Sequence, residues 1–534
     1  MTITSGRPRP TISPERGSFW SVLRAEWTKF RTVRGWLIGV VVAAVLCVAF
    51  TFVVANGNHT GGCTGPPSPG SGPNSPGSNC YTGHPFVPTG PDGEAVADSY
   101  QLAEQPLTGD GTLTARVTAL TGLISSGPAN VAASLAHTRS QLVGWAKAGI
   151  LLTSSIKQGS PYAAIMATGS HGTRFQYDYT HDQAGLTGAV TDPSPRWVRL
   201  TRTGDTLTGY DSANGTTWTQ IGTAHLVGLP TTVKIGLFVT SPVSFQGSSS
   251  GVPTQATATF DHIALNGHAG SNDWQAHSIG TSSNDYYTTL GTGSYHRVGN
   301  TFVLSGSGDI APAVNPLAGG NTASDSLWFG LIVALIVLIV VATMFITSEY
   351  RRGLIRTTFT ATPQRGRVLA AKAVVIGAIA FVTGAIAAAV GVPLGLHILN
   401  TGGNYVFPAN AVTKLQIIAG SGALLALTAV AVLALGTILR TSAIAITTGI
   451  IVFVLPYIIS TYTPGSLGAW LFRVTPAAGF SVLGVLPRSA LVNSAYTMGN
   501  DYYPLAPWAG LGVLCTYTAV ALGFATLLLR RRDA

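Results

Sequence analysis

Asp178 and Asp182 are the nearest approach this sequence makes to a hydrolytic carboxylate pair, and they flank a Tyr-Thr-His turn. Glycoside cleavage needs two carboxyls about 5–5.5 Å apart for retention or about 6.5–9.5 Å for inversion. One strand can present such carboxylates as E-x-D-x-E, and no segment here has that form. No catalytic residue is therefore assigned. Tyr177, Trp197 and Trp218 can stack on sugar rings, although a large aromatic in a β domain more often fills core. There is no G-x-x-x-x-G-K-[ST] and no Gly-Lys pair, so the chain has no phosphate-cradling loop of its own. Cys63 and Cys80 stand in a Gly/Pro/Ser-rich stretch and are expected to form a disulfide. Such a loop of about 16 residues contributes roughly 3 kcal/mol in the chain-entropy picture. Without nearby histidine pairs the two thiols make an incomplete ligand set, so no metal site is expected. Cys47 and Cys515 fall in apolar runs and read as small apolar side chains.

Six apolar stretches position these residues: Trp36–Ala55, Leu327–Ile346, then about 373–396, 415–439, 443–459 and 505–529. Each approaches the ~20 residues that a helix needs to cross a ~30 Å hydrocarbon core. The first lies too far from Met1 and runs too long for a cleaved signal, so it reads as a signal anchor. Net charge over all 534 residues is +10. Residues 57–325 hold 15 acidic and 10 basic side chains, a balance of −5, which leaves +15 for the rest. Those cations flank the apolar runs. Arg7, Arg9, Arg16, Arg24, Lys29, Arg31 and Arg34 precede the first run. Arg351, Arg352, Arg356, Arg365, Arg367 and Lys372 follow the second, and Arg530 to Arg532 follow the last. The positive-inside rule then puts both termini in the cytoplasm and the long polar segment outside. Nucleic acid is not the expected partner of this basic balance; the membrane is. No Asp, Glu or Arg sits mid-span, which disfavours an ion-coupled carrier.

Along the chain, residues 1–17 are Pro/Arg/Ser-rich and read as a disordered tail. In residues 18–35, Trp20, Leu23, Trp27 and Phe30 recur at helical spacing among basic residues, as in a helix lying in the membrane interface. Residues 56–94 read as a linker. From 95 to 315 short alternating runs dominate, among them Leu113–Val117, Ala148–Leu152, Trp197–Arg202 and Val233–Thr240. Asn214-Gly215 between two such runs is a hairpin signal. Many short strands with turn residues between them mean a β-sandwich or barrel. In the third span Gly377, Ala380, Gly384, Ala388 and Gly391 share one face, as close helix packing in lipid favours. Pro393 and Pro456 are expected to kink their helices, and 467–486 reads as an interfacial or re-entrant element.

Two resemblances follow from particular residues. Glu349-Tyr350-Arg351-Arg352-Gly353-Leu354-Ile355-Arg356, continuing through Pro363, Arg365 and Arg367 to Lys372, resembles the cytoplasmic loop of permeases of the ATP-binding-cassette type-2 exporter family, particularly those of high-GC bacteria. Leu23 to Arg31 (LRAEWTKFR) is similar to the entry helix of the same family. The resemblance covers the apolar half of the chain. It implies a plasma-membrane permease, homo- or heterodimeric, driven by a separate ATPase subunit that binds ATP and magnesium. This chain would hold no cofactor itself. Glu349, Tyr350, Arg351, Arg352, Gly353 and Arg356 would then belong to a coupling loop, residues 348–372, that docks on the ATPase. Separately, Trp145 to Ile150 (WAKAGI), Arg174 to Tyr177 (RFQY), Pro195 to Leu200 (PRWVRL) and Asp211 to Trp218 (DSANGTTW) resemble concanavalin-A-like jelly-roll domains of secreted bacterial proteins. In such domains S-G-S-G-D-I comes early, whereas here Ser305 to Ile310 comes last. The final strands, about 295–310, are therefore expected to return beside the first.

The expected architecture is an α-helical membrane protein of six transmembrane helices, with an all-β jelly-roll or sandwich domain inserted outside between the first and second spans. The expected function is export powered by a partner ATPase. The competing reading is a membrane-anchored extracellular glycan-binding or sensory protein that transports nothing.

Overall fold

One strand of unusual length, Tyr100–Ser125, organises the β domain. Along its first half it pairs antiparallel with Thr232–Thr240 on one edge and with Gln275–Ile279 on the other. Further along it pairs with Arg196–Thr203 and with Thr254–Ala269. Its alternation of buried and exposed positions through Leu113, Ala115 and Val117 is the period-2 pattern of a sheet with one face inward. A computed structural model of the chain describes residues 18–57, 88–126, 137–191, 193–245, 251–269, 273–280, 293–313, 322–351, 353, 364–402, 406–463, 465–486, 488–489, 491–492 and 502–531. Among these, 14 strands join in one nearly closed sheet. Cys63, Cys80, Arg352 and Arg356 lie outside the described residues.

The main core of this domain gathers Leu107, Val117, Ile150, Phe175, Leu200 and Phe260. Tyr100, Leu102, Leu151, Tyr162 and Phe238 form a second, smaller core. Lys147–Thr153 and Tyr162–Thr168 lie between the two and are buried at every position, as strands covered on both faces are. The Asn214-Gly215 hairpin is present, but its loop takes residues 213–218. Gly215 sits there at φ +75°, and Asn214 Oδ1 accepts from the amides of Thr216 and Thr217 at 3.0 and 2.9 Å.

The chain's last strand does return beside its first. Val96, Ala97 and Asp98 pair antiparallel with Pro312, Ala311 and Ile310. Lys147, fully buried, donates to Asp309 Oδ1 at 2.7 Å and to the Ile310 carbonyl at 2.5 Å. Backbone pairing also starts earlier than composition marks. Thr89 bridges Ala95, and the Val96 amide donates to the Pro88 carbonyl at 2.9 Å, so 88–95 fold back on themselves as an isolated bridge just before the first strand.

The helices are α1 (Phe19–Thr32), α2 (Arg34–Gly57), α3 (Leu327–Arg351), α4 (Arg365–Thr401), α5 (Ala411–Leu439), α6 (Ser442–Phe453), α7 (Leu455–Tyr462), α8 (Gly465–Val474) and α9 (Pro507–Arg531). A 3₁₀ helix spans Pro476–Leu483. Six stretches are long and apolar enough to cross a membrane: α2, α3, α4, α5, α6 with α7, and α9. Pro456 falls at the start of α7, where the fifth stretch breaks at Val454. Pro393 lies inside α4 without interrupting it. The small-residue face of α4 meets α5 closely: a Cβ on Gly384 would lie 2.9 Å from the Ser421 carbonyl oxygen. The segment expected as re-entrant is α8 plus the 3₁₀ helix, whose eight residues are all buried.

Asp98 gives the β domain a pH signature. Its carboxylate accepts from Tyr179 Oη and the Gly159 amide, both at 2.8 Å. Burial nevertheless pushes its pKa from 3.8 up to about 6. Burial favours the neutral acid, so its contribution is complete below about pH 4 and is lost as pH rises through about 6. At most roughly 3 kcal/mol separates the two limits. In the full chain, exchange protection of the Val96–Asp98 amides, corrected for intrinsic rates, is expected to fall between about pH 4 and 6.5. Asp98→Asn should remove that slope; an unchanged slope in the variant would refute the assignment.

Candidate functional site

Outside residues 57–325 the chain has five acidic residues: Glu15, Glu26, Glu349, Asp501 and Asp533. Two of them converge on one lysine. Lys372, on the first turns of α4, is 0% exposed, and its Nζ lies 2.6 Å from Glu26 Oε2 and 2.7 Å from Glu349 Oε1. Lys29 closes the group from the rim, at 2.8 Å from Glu26 Oε1 and 3.2 Å from Glu349 Oε1. Two lysines and two carboxylates balance, so the cluster is neutral while its members are charged.

Each partner comes from a different element. Glu26 and Lys29 are three apart on α1 and therefore neighbours on one helix face. Phe30, one turn beyond Glu26, is 1% exposed and packs edge-on against Phe345 of α3 at 5.4 Å and against Trp36 at 5.7 Å. Phe30 and Glu26 thus lie on the same inward side of α1. Glu349 comes from the last turn of α3. Lys372 Nζ also lies 4.4 Å from the Phe345 ring centroid, a cation–π contact. For Lys29, partial burial pulls the pKa down, but hydrogen bonds and attraction from Glu26 and Glu349 outweigh it, and the net shift is upward.

A second layer ties in the remaining helices. Tyr350 is half-buried, with the Arg440 guanidinium 5.4 Å from its ring centroid. Arg440 stands at φ +58° and ends α5. Arg365 donates to the Leu529 carbonyl at 2.9 Å, joining the start of α4 to the end of α9. At this end of the bundle, α1, α3, α4, α5 and α9 meet through polar contacts. Displacing one helix disturbs hydrogen bonds to the others.

Several expectations need correction. Glu349, Tyr350 and Arg351 are not in a loop but in the last turn of α3, and Arg365 to Lys372 are in α4, so the connection between the helices is shorter than 348–372. Gly353 follows α3 at φ +71°. The α1 stripe is divided: Leu23 and Phe30 pack inward with Glu26, whereas Trp20 and Trp27 are exposed. The cause is the Lys372 contact, which draws an acid into the face that hydropathy assigns to the aromatics. Glu26, Lys29 and Lys372 escaped sequence reasoning as a site because they lie among many basic residues. The scarcity of acids was the available signal.

In the β domain, Trp197 of the strand Arg196–Thr203 and Trp218 of the 213–218 loop each meet an arginine. The Arg199 guanidinium lies 3.8 Å from the Trp218 ring centroid, and that of Arg116 lies 5.4 Å from Trp197. Tyr177 belongs elsewhere, packing against the main core and stacking on His181 at 4.2 Å. The three aromatics therefore do not form one sugar platform. Among the described residues no group of three or more His, Cys, Asp or Glu could hold a metal ion. Cys47 is buried and Cys515 exposed.

No known family profile matches the sequence, and no curated protein matches it. Among solved structures, scytalido-glutamic peptidase with a transition-state analogue inhibitor aligns at TM-score 0.26 and 10% identity, over 39% of this chain and 98% of that one. A functionally unknown protein from Saccharomyces cerevisiae aligns at TM-score 0.22 and 15% identity, over 35% of this chain and 85% of that one. Likenesses this weak carry no argument about activity.

Lys372→Met is expected to leave Glu26 and Glu349 with only the rim cation Lys29 to balance them, costing about 3–5 kcal/mol. The melting temperature of the purified chain should fall markedly. Adding Glu26→Gln and Glu349→Gln to the same chain should restore most of it. If Lys372→Met melts like the parent, the cluster is not structural.

Proposed function

We propose that the chain is the transmembrane permease subunit of an ATP-driven exporter of the cassette type-2 class, working as a dimer with a separate ATPase that binds ATP and magnesium. In this reading the six apolar helices span the plasma membrane, both termini are cytoplasmic, and the β domain is an extracellular jelly-roll-like sandwich. The observation that carries the proposal is the buried Lys372, held by Glu26 of α1 and Glu349 of α3. A passive anchor has no need to place two acids and a lysine where α1 and two apolar helices meet. A moving bundle does, because the group passes displacement of α1 or the α3 end directly into α4. Arg351, exposed at the end of α3, and Gly353 beyond it supply the surface that an ATPase would push. The absence of any phosphate-cradling sequence assigns hydrolysis to the partner.

The test is copurification from native membranes. The tagged chain should retain an ATPase bearing the phosphate-cradling motif, and Arg351→Ala combined with Arg352→Ala should lower retention about tenfold, the loss of roughly 1.4 kcal/mol. A cysteine at Gly353 should react with an impermeant thiol reagent only from the cytoplasmic side, and one at the exposed Val227 only from outside. A chain that retains no ATPase is a membrane-anchored binding protein. Labelling of Gly353 from outside would invert the topology and end the proposal.

A further inference from the structure

At the far end of α9 from Arg365 the bundle holds a second feature that the exporter reading leaves unused. A cavity of about 340 Å³ opens between the 3₁₀ helix and the start of α9, lined by Ser481, Leu486, Arg488, Tyr502, Tyr503 and Pro507 among others. Its volume lies at the lower end of ligand pockets, about 300–1,000 Å³. The 25 residues of α9 make it roughly 37 Å long, with the cavity at its start and the Arg365 contact at its other end.

Three observations give the cavity its chemistry. First, α9 begins on its wall, and the position before it cannot supply a side-chain cap. Ala506 has no side-chain oxygen, Pro507 has no N–H, and the first turn holds no acid. The amides of Trp508 and Ala509 have no acceptor within the helix, and the helix start carries partial positive charge. Second, Ser481 is 0% exposed and its Oγ has no hydrogen-bond partner. It stands against this first turn: a Cβ added to Gly510 would meet Ser481 Oγ at 2.8 Å. A buried hydroxyl without a partner is costly, and one that lines a cavity is satisfied by what enters. Third, Arg488 Nη2 donates to the Tyr503 carbonyl at 2.8 Å, which holds a permanent cation on the same wall. Helix start, hydroxyl and guanidinium together suit an oxyanion. Leu486, Leu505 and the Tyr503 ring supply an apolar side, so the bound molecule is amphiphilic.

The β domain stands over this place. Trp145 and Ala311 of the sheet pack with Leu491, Val492 and Tyr502, and Leu486 lies against the same cluster. Trp145 is itself stacked on His171 at 3.9 Å. Two cavity residues, Leu486 and Tyr502, thus also belong to the contact between the β domain and the helices.

We propose that this cavity binds the phosphate group of an amphiphile, and that the β domain reads its occupancy through Tyr502 and Leu486. The site depends on the bundle's geometry alone, so it survives if the exporter reading fails. The experiment is native mass spectrometry of the full-length chain in detergent at limiting lipid, with phosphatidylglycerol, diacylglycerol (which has no phosphate) or inorganic phosphate as probes. The wild type should retain one phosphatidylglycerol in preference to diacylglycerol, and Ser481→Ala and Arg488→Gln should each weaken retention about tenfold. Ser481→Ala removes only a hydroxyl, so its unliganded melting temperature should match the parent, which separates lost binding from lost folding. Displacement by inorganic phosphate would assign the site to the phosphate group in general; retention despite phosphate would assign it to the lipid. Phosphate binding without any lipid preference would point to a soluble phosphate compound. Equal retention of both lipids with no phosphate binding, or retention unaffected by both substitutions, would overturn the proposal.

Discussion

A lysine with no solvent at all is the constraint on which the helical half turns. Lys372 would be prohibitively costly in that position alone, and it is tolerated because Glu26 and Glu349 reach it at 2.6 and 2.7 Å. Those acids are the only ones that the chain places between residues 16 and 56 and between 326 and 500. The orientation of α1, the inward turn of Phe30 and the meeting of α3 with α4 all follow from satisfying that one charge. Hydrophobic packing alone would not choose this arrangement, because Trp20 and Trp27 offer α1 at least as much apolar surface as Leu23 and Phe30.

The β domain obeys a different logic. Its chain enters at Pro88 and leaves at Pro312, and the two ends are brought together by the short ladder of Val96–Asp98 with Ile310–Pro312. This juxtaposition is what insertion between two helices demands. The base then rests on the segment between the 3₁₀ helix and α9 through Trp145 and Ala311. Sheet and bundle are therefore in direct contact at one end of α9, while the ion cluster occupies the other.

Much of this was legible in the residues. The apolar runs located six helical stretches, and alternation located the strands Ala148–Leu152, Trp197–Arg202 and Val233–Thr240 to within a residue or two. The jelly-roll resemblance implied a return of about 295–310 beside the first strand; Ile310–Pro312 makes that pairing, while Thr301–Gly306 pairs with Thr254–Ala269 and Ser294–Val298. What stayed hidden depends on contacts between residues hundreds of positions apart. Hydropathy ranks Trp27 above Glu26 for burial, and nothing local reveals that Lys372 lies 346 positions away to reverse the order. Likewise Tyr177, Trp197 and Trp218 look alike in sequence, and only tertiary contacts separate them: Tyr177 packs against the core, whereas Trp218 of the 213–218 loop lies over Arg199. Composition did not show the isolated bridge that Thr89 makes with Ala95, because Pro88 to Glu94 carry linker-like residues.

The short terminal ladder also has a mechanical side. Its two strands run antiparallel, and the chain leaves both of them at the same end, at Val96 and at Pro312. Tension between α2 and α3 would therefore peel this pair open one bond at a time, the weak loading direction, instead of shearing all its bonds together. Lys147 grips Asp309 and the Ile310 carbonyl just behind the opening. The buried ammonium thus acts as a rivet that stops a tear at the domain's seam from running into the sheet.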